Sequence, residues 1–172
     1  GVKNWISNGS IASFYLVIAQ TDKSKRSHGI NCLIVERDSV GFEVGKKEDK
    51  LGIRGSDTHS LMFNNVVVPK ENRIGEDGFG FKFAMKTLDG GRIGIAAQAL
   101  GIASGAYELA VAYSKQREAF GKPISTHQAV AFKLANMATE IEAARLLCLR
   151  AARVTDLHLP YGTSAAMAKL YA

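Results

Sequence analysis

The chain has 172 residues, which is enough for one ordinary domain or for parts of two. Its apolar fraction of 47% supports a packed core and argues against a disordered protein. The formal net charge of +6 favours anionic partners. The basic residues are scattered, however, and aromatic residues are not interleaved with them, so the composition argues against nucleic-acid binding.

The cysteines, the histidines and the hydropathy pattern further limit the class of protein. Cys32 falls in a strand pattern and Cys148 in a helix pattern, and we interpret both as buried thiols in a reducing compartment. The four histidines show no metal-binding spacing. The sequence shows no signal peptide and no apolar run near the ~20 residues that span a bilayer, so we expect a soluble, intracellular protein without a membrane partner.

The first 68 residues have the composition of β-strands. Short apolar runs, rich in β-branched and aromatic residues, predict strands at 14–19, 30–35, 42–46 and 61–68, after an early strand around Trp5. The charged stretch 22–29 is predicted to be an exposed loop. So few strands would leave the sheet with open edges, and we therefore expect sequence belonging to this sheet to be missing.

A helical pattern follows the glycines around residue 78. Apolar spacing predicts a very long helix, a tight break near 120–123 and a second helix that begins with a capping box at Ser125–Gln128. A third, alanine-rich helix starts at Tyr161, and three helices with short links imply an antiparallel bundle. We predict an α+β fold, with part of an antiparallel β-domain in residues 1–73 and the first three helices of a bundle in residues 74–172.

Two motifs each admit two interpretations from residue chemistry alone. Trp5 is either a core tryptophan before a turn-forming Ser-Asn pair, or a ring face for a planar heterocycle beside the Ser7 hydroxyl. Asp89 and Arg92 either form an intrahelical ion pair worth a few tenths of a kcal/mol, or flank a ligand that lies against the backbone at Gly90 and Gly91. Glycines in a helix cost about 1 kcal/mol each relative to alanine, so we expect the close approach of a helix or a ligand.

Three segments near the remaining polar clusters also have ordinary explanations. In Lys50–Ser56, glycines flank Arg54, which is typical of an ordinary β-turn with a solvated cation. Arg117 lies near a helix end, where a cation complements the helix dipole. Gln128 serves as a cap residue in the predicted capping box.

Four ordered motifs together resemble the acyl-CoA dehydrogenase family. They are Trp5-Ile6-Ser7-Asn8, Lys50-Leu51-Gly52-Ile53-Arg54-Gly55-Ser56, Leu88-Asp89-Gly90-Gly91-Arg92 and Arg117-Glu118-Ala119-Phe120-Gly121. The resemblance covers the whole chain and is greatest to short-chain (butyryl-type) and short/branched-chain members. It implies a flavoenzyme of fatty-acid β-oxidation that binds FAD, acts on acyl-CoA, reduces an electron-transfer flavoprotein and assembles as a homotetramer. The implied compartment is the bacterial cytoplasm or the mitochondrial matrix.

The resemblance also assigns roles to individual residues. Trp5, Ile6 and Ser7 would lie beside the flavin ring, where the family more often has Thr than Ser at the third position. Arg117 would place its guanidinium on the pyrophosphate of FAD in a neighbouring subunit, and Phe120, His127 and Gln128 would complete that contact. Asp89, Gly90, Gly91 and Arg92 would hold the acyl-CoA where it enters between the β-domain and the bundle.

The catalytic base is the one part of the family pattern for which no residue can be named. Most members carry the glutamate near the C-terminus, and in isovaleryl and long-chain members it immediately precedes the helix arginine, where this chain has Gly91. We therefore expect a fragment that lacks its base and is inactive as given. The alternatives are an acyl-CoA oxidase or nitroalkane oxidase-like flavoenzyme, and a non-catalytic relative that serves as a helical assembly module.

Overall fold

A computed structural model describes all residues, 1–172. The strands are β1 (Val2–Ser7), β2 (Phe14–Gln20), β3 (Ile30–Glu36), β4 (Phe42–Lys47), β5 (Thr58–Phe63), β6 (Arg73–Ile74), β7 (Glu118–Ala119) and β8 (Lys122–Pro123). The α-helices are α1 (Gly80–Gln116), α2 (Gln128–Asp156) and α3 (Gly162–Tyr171). The chain divides into two compact units, Gly1–Ala84 and Met85–Ala172, and the division falls inside α1. The sequence places the domain boundary earlier, between residues 73 and 74, and that boundary stays a prediction.

The first unit contains two three-stranded antiparallel sheets, in the orders β1-β5-β4 and β2-β3-β6. Their inner faces enclose a core of buried side chains: Tyr15, Val17, Val35, Phe42 and Leu61. The rings of Tyr15 and Phe42 lie 4.6 Å apart between centroids, in the tilted arrangement that aromatic pairs prefer. The predicted antiparallel strands are thus confirmed, as two sheets packed on one core.

Two predictions in this unit, one of a strand and one of a loop, differ from the structure. The run 61–68 was expected to be one strand, but β5 begins earlier, at Thr58, and ends at Phe63. The Asn64 N–H still bonds to Gly41 O, and the extended backbone ends at the next residue, because Asn65 adopts φ 52°. The segment expected to be an exposed loop at 22–29 contains 3₁₀ turns within Lys23–Gly29, interrupted at Arg26, where φ is 50°. The first turn begins where the Asp22 carboxylate accepts from the Ser24 N–H.

Asn31 holds the segment that leads into α1. Its side chain is buried and donates to Thr21 Oγ1 (2.7 Å) and to Asp77 Oδ1 (2.9 Å), while its oxygen accepts from the Gly78 N–H (2.9 Å). Gly80 then packs so closely on the backbone of Asn31 that an added Cβ would lie 2.4 Å from Asn31 C. The close approach requires glycine at the first residue of α1.

The helical unit is packed through small side chains. Its core consists of Ala96 on α1, Cys148 and Ala151 on α2, and Ala168 on α3, all buried. Alanine at these positions lets the helix backbones approach closely. The very long helix predicted from the apolar spacing is confirmed as α1, which has 37 residues. Both cysteines are free and buried. The predicted helical bundle segment is confirmed.

The capping box predicted for α2 is wrong. Ile124–Thr126 form a 3₁₀ turn in which the Thr126 hydroxyl donates to Pro123 O (2.7 Å), so Ser125 lies before the helix rather than at its cap. The N-cap residue is His127, which makes no side-chain cap bond, and Gln128 is the first helical residue. Gln128 is exposed and its side chain does not return to the backbone of Ser125.

One helix, α1, is long and apolar enough to cross a membrane by length and composition. The expectation that no such run exists is therefore wrong on those two criteria. A single helix of this kind is weak evidence, because helices of soluble proteins pass the same test. Length and composition alone do not show that α1 lies in a membrane.

Candidate functional site

Trp5 and Ser7 are presented by an irregularity in β1. Lys3 pairs with Leu61 and Ile6 with His59, so β1 uses three steps where β5 uses two, and the extra residue forms a β-bulge. Lys3 and Ile6 both point inward: the Lys3 ammonium reaches Ile18 O (2.7 Å) and Ile6 packs on the core. In a regular strand Trp5 and Ser7 would share the inward side with Lys3.

The bulge places both Trp5 and Ser7 on the surface. Trp5 is 72% exposed and adopts φ 53°, a conformation that is uncommon for a bulky residue. Ser7 is exposed and its hydroxyl makes no hydrogen bond within the chain. Of the two interpretations of Trp5, the core tryptophan is wrong. Ile6, in contrast, turns its side chain into the core and leaves only its backbone for a ligand.

Asp89 and Arg92 pair with each other on α1. Arg92 Nη1 donates to Asp89 Oδ1 across one helical turn, and both side chains are about one-third exposed. The intrahelical ion pair is therefore formed in this structure, and at that exposure it contributes little to stability. Between the two, a Cβ added at Gly90 or Gly91 would meet nothing within 4 Å. The backbone there is open on the outside of the helix.

Arg117, Phe120 and His127 are brought together by the hairpin formed by β7 and β8. The hairpin turns at Phe120 and Gly121, which have φ 54° and 73°, and Phe120 is 97% exposed. Arg117 follows the last residue of α1, is exposed, and its guanidinium forms no ion pair. Its carbonyl accepts from the Ile124 N–H (2.9 Å), which fixes the base of the hairpin.

His127 braces this hairpin from the start of α2. Its Nε2 lies 3.0 Å from Ala119 O, so the proton is on Nε2, because a carbonyl can only accept. Its ring also meets Phe120 edge-on, with 6.1 Å between ring centroids. The structure thus groups Arg117, Phe120, His127 and the exposed Gln128 at one place, with Arg117 free to bind an anion.

The loop of the second motif presents apolar side chains to solvent. Leu51 and Ile53 are exposed, and Ile53 adopts φ 51°, an outlier for a β-branched residue. Arg54 Nε donates to Lys50 O (3.1 Å), and Lys50 Nζ donates to Ser56 O and Thr58 Oγ1. The turn interpretation of this segment is confirmed, and no predicted site residue lies in it.

An apolar groove lies in the helical unit. It encloses about 640 Å³ between α1 and α2 and near the end of α3, and Leu100, Tyr107, Met137, Glu140 and Tyr171 are among its lining residues. None of the residues predicted to bind substrate lies in it. The sequence offered no signal for this groove beyond the apolar stripes of the helices.

The comparisons with known proteins cover both units. The family model for the acyl-CoA dehydrogenase middle domain matches residues 1–66, and the model for the acyl-CoA dehydrogenase C-terminal domain matches residues 78–172. The short-chain specific acyl-CoA dehydrogenase of Megasphaera elsdenii is 55% identical over 169 residues, which is 98% of this chain and 44% of that protein.

Solved structures agree with the family models. Butyryl-CoA dehydrogenase from Megasphaera elsdenii superposes with a TM-score of 0.94 at 54% identity, over 99% of this chain and 45% of that one. A structure described as the electron transferring flavoprotein of Acidaminococcus fermentans gives 0.93 at 54% identity, again over 99% and 45%. The chain spans less than half the length of these relatives. It belongs to the acyl-CoA dehydrogenase family.

Proposed function

We propose that the protein containing this chain oxidises short-chain acyl-CoA thioesters to their α,β-unsaturated products, with FAD as cofactor. The observation that carries the proposal is the identity of more than half of the residues, over nearly the whole chain, to a protein named for short-chain specificity. Butyryl-CoA is the first substrate to test, and 2-methylbutyryl-CoA is the branched comparison.

The exposed groups described above fit the cofactor. Trp5 offers an indole face and Ser7 an unengaged hydroxyl on the same side of β1, which suits a flat heterocycle with a polar edge. Arg117 is an exposed guanidinium without an acidic partner, and guanidinium binds phosphate through paired hydrogen bonds. When bound, FAD supplies the two-electron acceptor for the hydride that leaves the substrate Cβ.

For the substrate we propose the Asp89–Arg92 segment of α1. A CoA thioester carries phosphates, and Arg92 supplies a cation that Asp89 holds in one orientation. The open backbone at Gly90 and Gly91 allows a ligand to approach more closely than any side chain would permit. Removal of the α proton is assigned to no residue of 1–172, since Gly91 and not glutamate precedes Arg92.

The partners follow from the same proposal. An electron-transfer flavoprotein would take the electrons onward, which the similarity to a structure described by that name supports. A homotetramer would let Arg117 and its hairpin reach a neighbouring subunit. The compartment would be the bacterial cytoplasm or the mitochondrial matrix.

The test uses the full-length protein that contains these residues. It should purify with bound flavin, and butyryl-CoA should bleach the flavin without oxygen and support reduction of an electron-transfer flavoprotein or a dye. Hydrogen peroxide as the main product under air would identify an oxidase instead. If the protein purifies without flavin and does not respond to acyl-CoA, the remaining alternative is a non-catalytic relative that serves as a helical assembly module.

A further inference from the structure

His59 lies where both neighbours of β5 bulge. On one side Lys3 and Ile6 of β1 pair with Leu61 and His59, and on the other side Val44 and Lys47 of β4 pair with the same two residues. Each neighbour therefore carries one extra residue opposite the same stretch of β5. The bulge in β1 is the one that exposes Trp5, and His59 is the register partner of Ile6 at the end of that bulge.

Both ring nitrogens of His59 face atoms that can only accept a hydrogen bond. Nδ1 lies 2.9 Å from Gly45 O, a carbonyl in the β4 bulge, and Nε2 lies 3.0 Å from Asp57 Oδ1. Asp57 is ionised, because the hydrogen bond from the Ser10 backbone and the neighbouring His59 hold the pKa of its carboxyl below the usual value. Only the doubly protonated ring can donate to both. The side chains are largely enclosed, with 12% and 18% exposed.

Asp57 connects His59 to the loop that follows β1. Its other carboxylate oxygen accepts from the Ser10 N–H (2.9 Å), and its carbonyl accepts from the Asn8 N–H (2.9 Å). Gly9 lies against His59 so closely that an added Cβ would be 2.8 Å from His59 Cβ. The loop that begins one residue after Ser7 is thus fixed from one side by Asp57 and His59.

We propose that His59 is a positioning residue whose doubly protonated ring clamps the β4 bulge to Asp57 and the 8–12 loop, and thereby holds Trp5 and Ser7 in place. A ring that loses one proton has to release either Gly45 or Asp57. The end of β1 then becomes mobile, and the surface that presents Trp5 and Ser7 loses definition. The clamp itself is independent of any cofactor, whereas its consequence for FAD rests on the proposed function.

Several charged groups lie near the clamp. Lys47 is opposite His59 on β4, Glu48 follows it in the chain, and Lys50 donates to Ser56 O and Thr58 Oγ1. Arg37 donates to Ser10 O in the 8–12 loop. A titration over the range between about pH 5 and 8 tests the clamp, because histidine side chains in general change charge there.

The chain is well suited to a direct test, because it contains one tryptophan and four histidines. Nitrogen NMR of ¹⁵N-histidine-labelled chain reports the protonation of each ring, and amide exchange reports the Ser10 N–H. At the acid end of the range both His59 nitrogens should carry protons. As pH rises, the opening equilibrium of the Ser10 amide should increase about tenfold, the value of one hydrogen bond to a charged group, with Trp5 fluorescence changing in step.

Two variants and a control separate the clamp from general pH effects. His59→Gln can donate to only one oxygen at a time and does not titrate, so it should abolish the pH step in Trp5 fluorescence. Asp57→Asn should shift or remove the same step and can be read if His59→Gln folds poorly. His158→Gln is the control, because His158 is exposed and its ring hydrogen-bonds to Asp156 O, far from β5 in the sequence. The pH step in Trp5 fluorescence should persist in this variant.

A His59 ring with an unprotonated nitrogen at the acid end, or a fluorescence step that survives His59→Gln, would overturn the proposal. In full-length protein, FAD affinity should fall over the same pH range in wild type and not in His59→Gln. If the NMR and fluorescence results hold and no flavin binds, the clamp stands and the proposed function fails.

Discussion

Gly91 allows the stability of α1 and its proposed role in binding to be measured separately. It lies in the interior of the helix, is exposed, and a Cβ added there would meet nothing within 4 Å. Alanine is about 1 kcal/mol better than glycine in such a position. Gly91→Ala should therefore raise the free energy of unfolding by about 1 kcal/mol and the Tm by about 2–4 °C for a chain of this size.

The same substitution should weaken substrate binding. If acyl-CoA lies against the backbone at Gly90 and Gly91, the new methyl group occupies the contact surface. Forcing a methyl group into a close-packed contact costs about 1–3 kcal/mol, which corresponds to a loss of about fivefold to hundredfold in affinity. A variant that is more stable and binds less well is the signature of a glycine kept for its ligand.

The assay pairs denaturant unfolding with titration of butyryl-CoA into the full-length protein. Gly101→Ala is the matched control, because it is also exposed and unobstructed on α1 and lies about 15 Å further along the helix. It should give the same gain in stability with unchanged affinity. If Gly91→Ala and Gly101→Ala both stabilise and both bind butyryl-CoA like the wild type, the glycines serve no ligand at this position and the reasoning fails.

Four further substitutions, one of them read by its pH dependence, test the remaining assignments. Arg117→Ala should lower the FAD content of the purified full-length protein and loosen its oligomer on size-exclusion chromatography; unchanged flavin removes Arg117 from the cofactor site. Arg92→Ala should change the free energy of unfolding by less than about 1 kcal/mol, because the ion pair of Arg92 is partly exposed. It should nevertheless reduce acyl-CoA affinity. Kinetics equal to those of the wild type would mean that Arg92 serves only in the ion pair. Asn31→Ala should lower the free energy of unfolding by about 1–3 kcal/mol, since it strips buried partners from Gly78 and Asp77. The hydrogen bond from Asn31 and the charges of Lys25 and Arg73 hold the pKa of the Asp77 carboxyl below its ordinary value. The contribution of Asp77 to stability is therefore present above that ordinary value and is lost as pH falls through the lower, folded pKa; Asp77→Asn should flatten this acid limb in pH-dependent unfolding.

Long periodic elements could be predicted from the sequence because their signal is repeated many times. The apolar spacing of α1 and α2 extends over eight or more turns, and the β-branched runs of β2 and β3 match the observed strands to within one residue at each end. Each of these signals is local, and tertiary contacts only reinforce it. The family motifs were also found from sequence, since they are short, ordered and continuous.

The failures share the opposite property, because each depends on partners that are distant along the chain. The exposure of Trp5 is set by the register of β1 against β5, more than fifty residues away, and no local pattern of Val2–Ser7 signals a bulge. Ser125–Gln128 match the sequence pattern of a capping box, but Pro123 and the hairpin before it direct the chain into a 3₁₀ turn first. The two-acceptor environment of His59 likewise needs Gly45 and Asp57 in three dimensions.

The bulge in β1 lets two side chains that are three residues apart share one side of the strand. Lys3 and Ile6 both point inward across it. Removal of Asn4 would leave these two residues two apart, which is the spacing at which a regular strand places side chains on the same side. Such a deletion would therefore keep Lys3 and Ile6 on the core and would remove only the bulge, together with the positive φ of Trp5. We expect its cost to fall on the presentation of Trp5 and Ser7 rather than on the packing of the sheet.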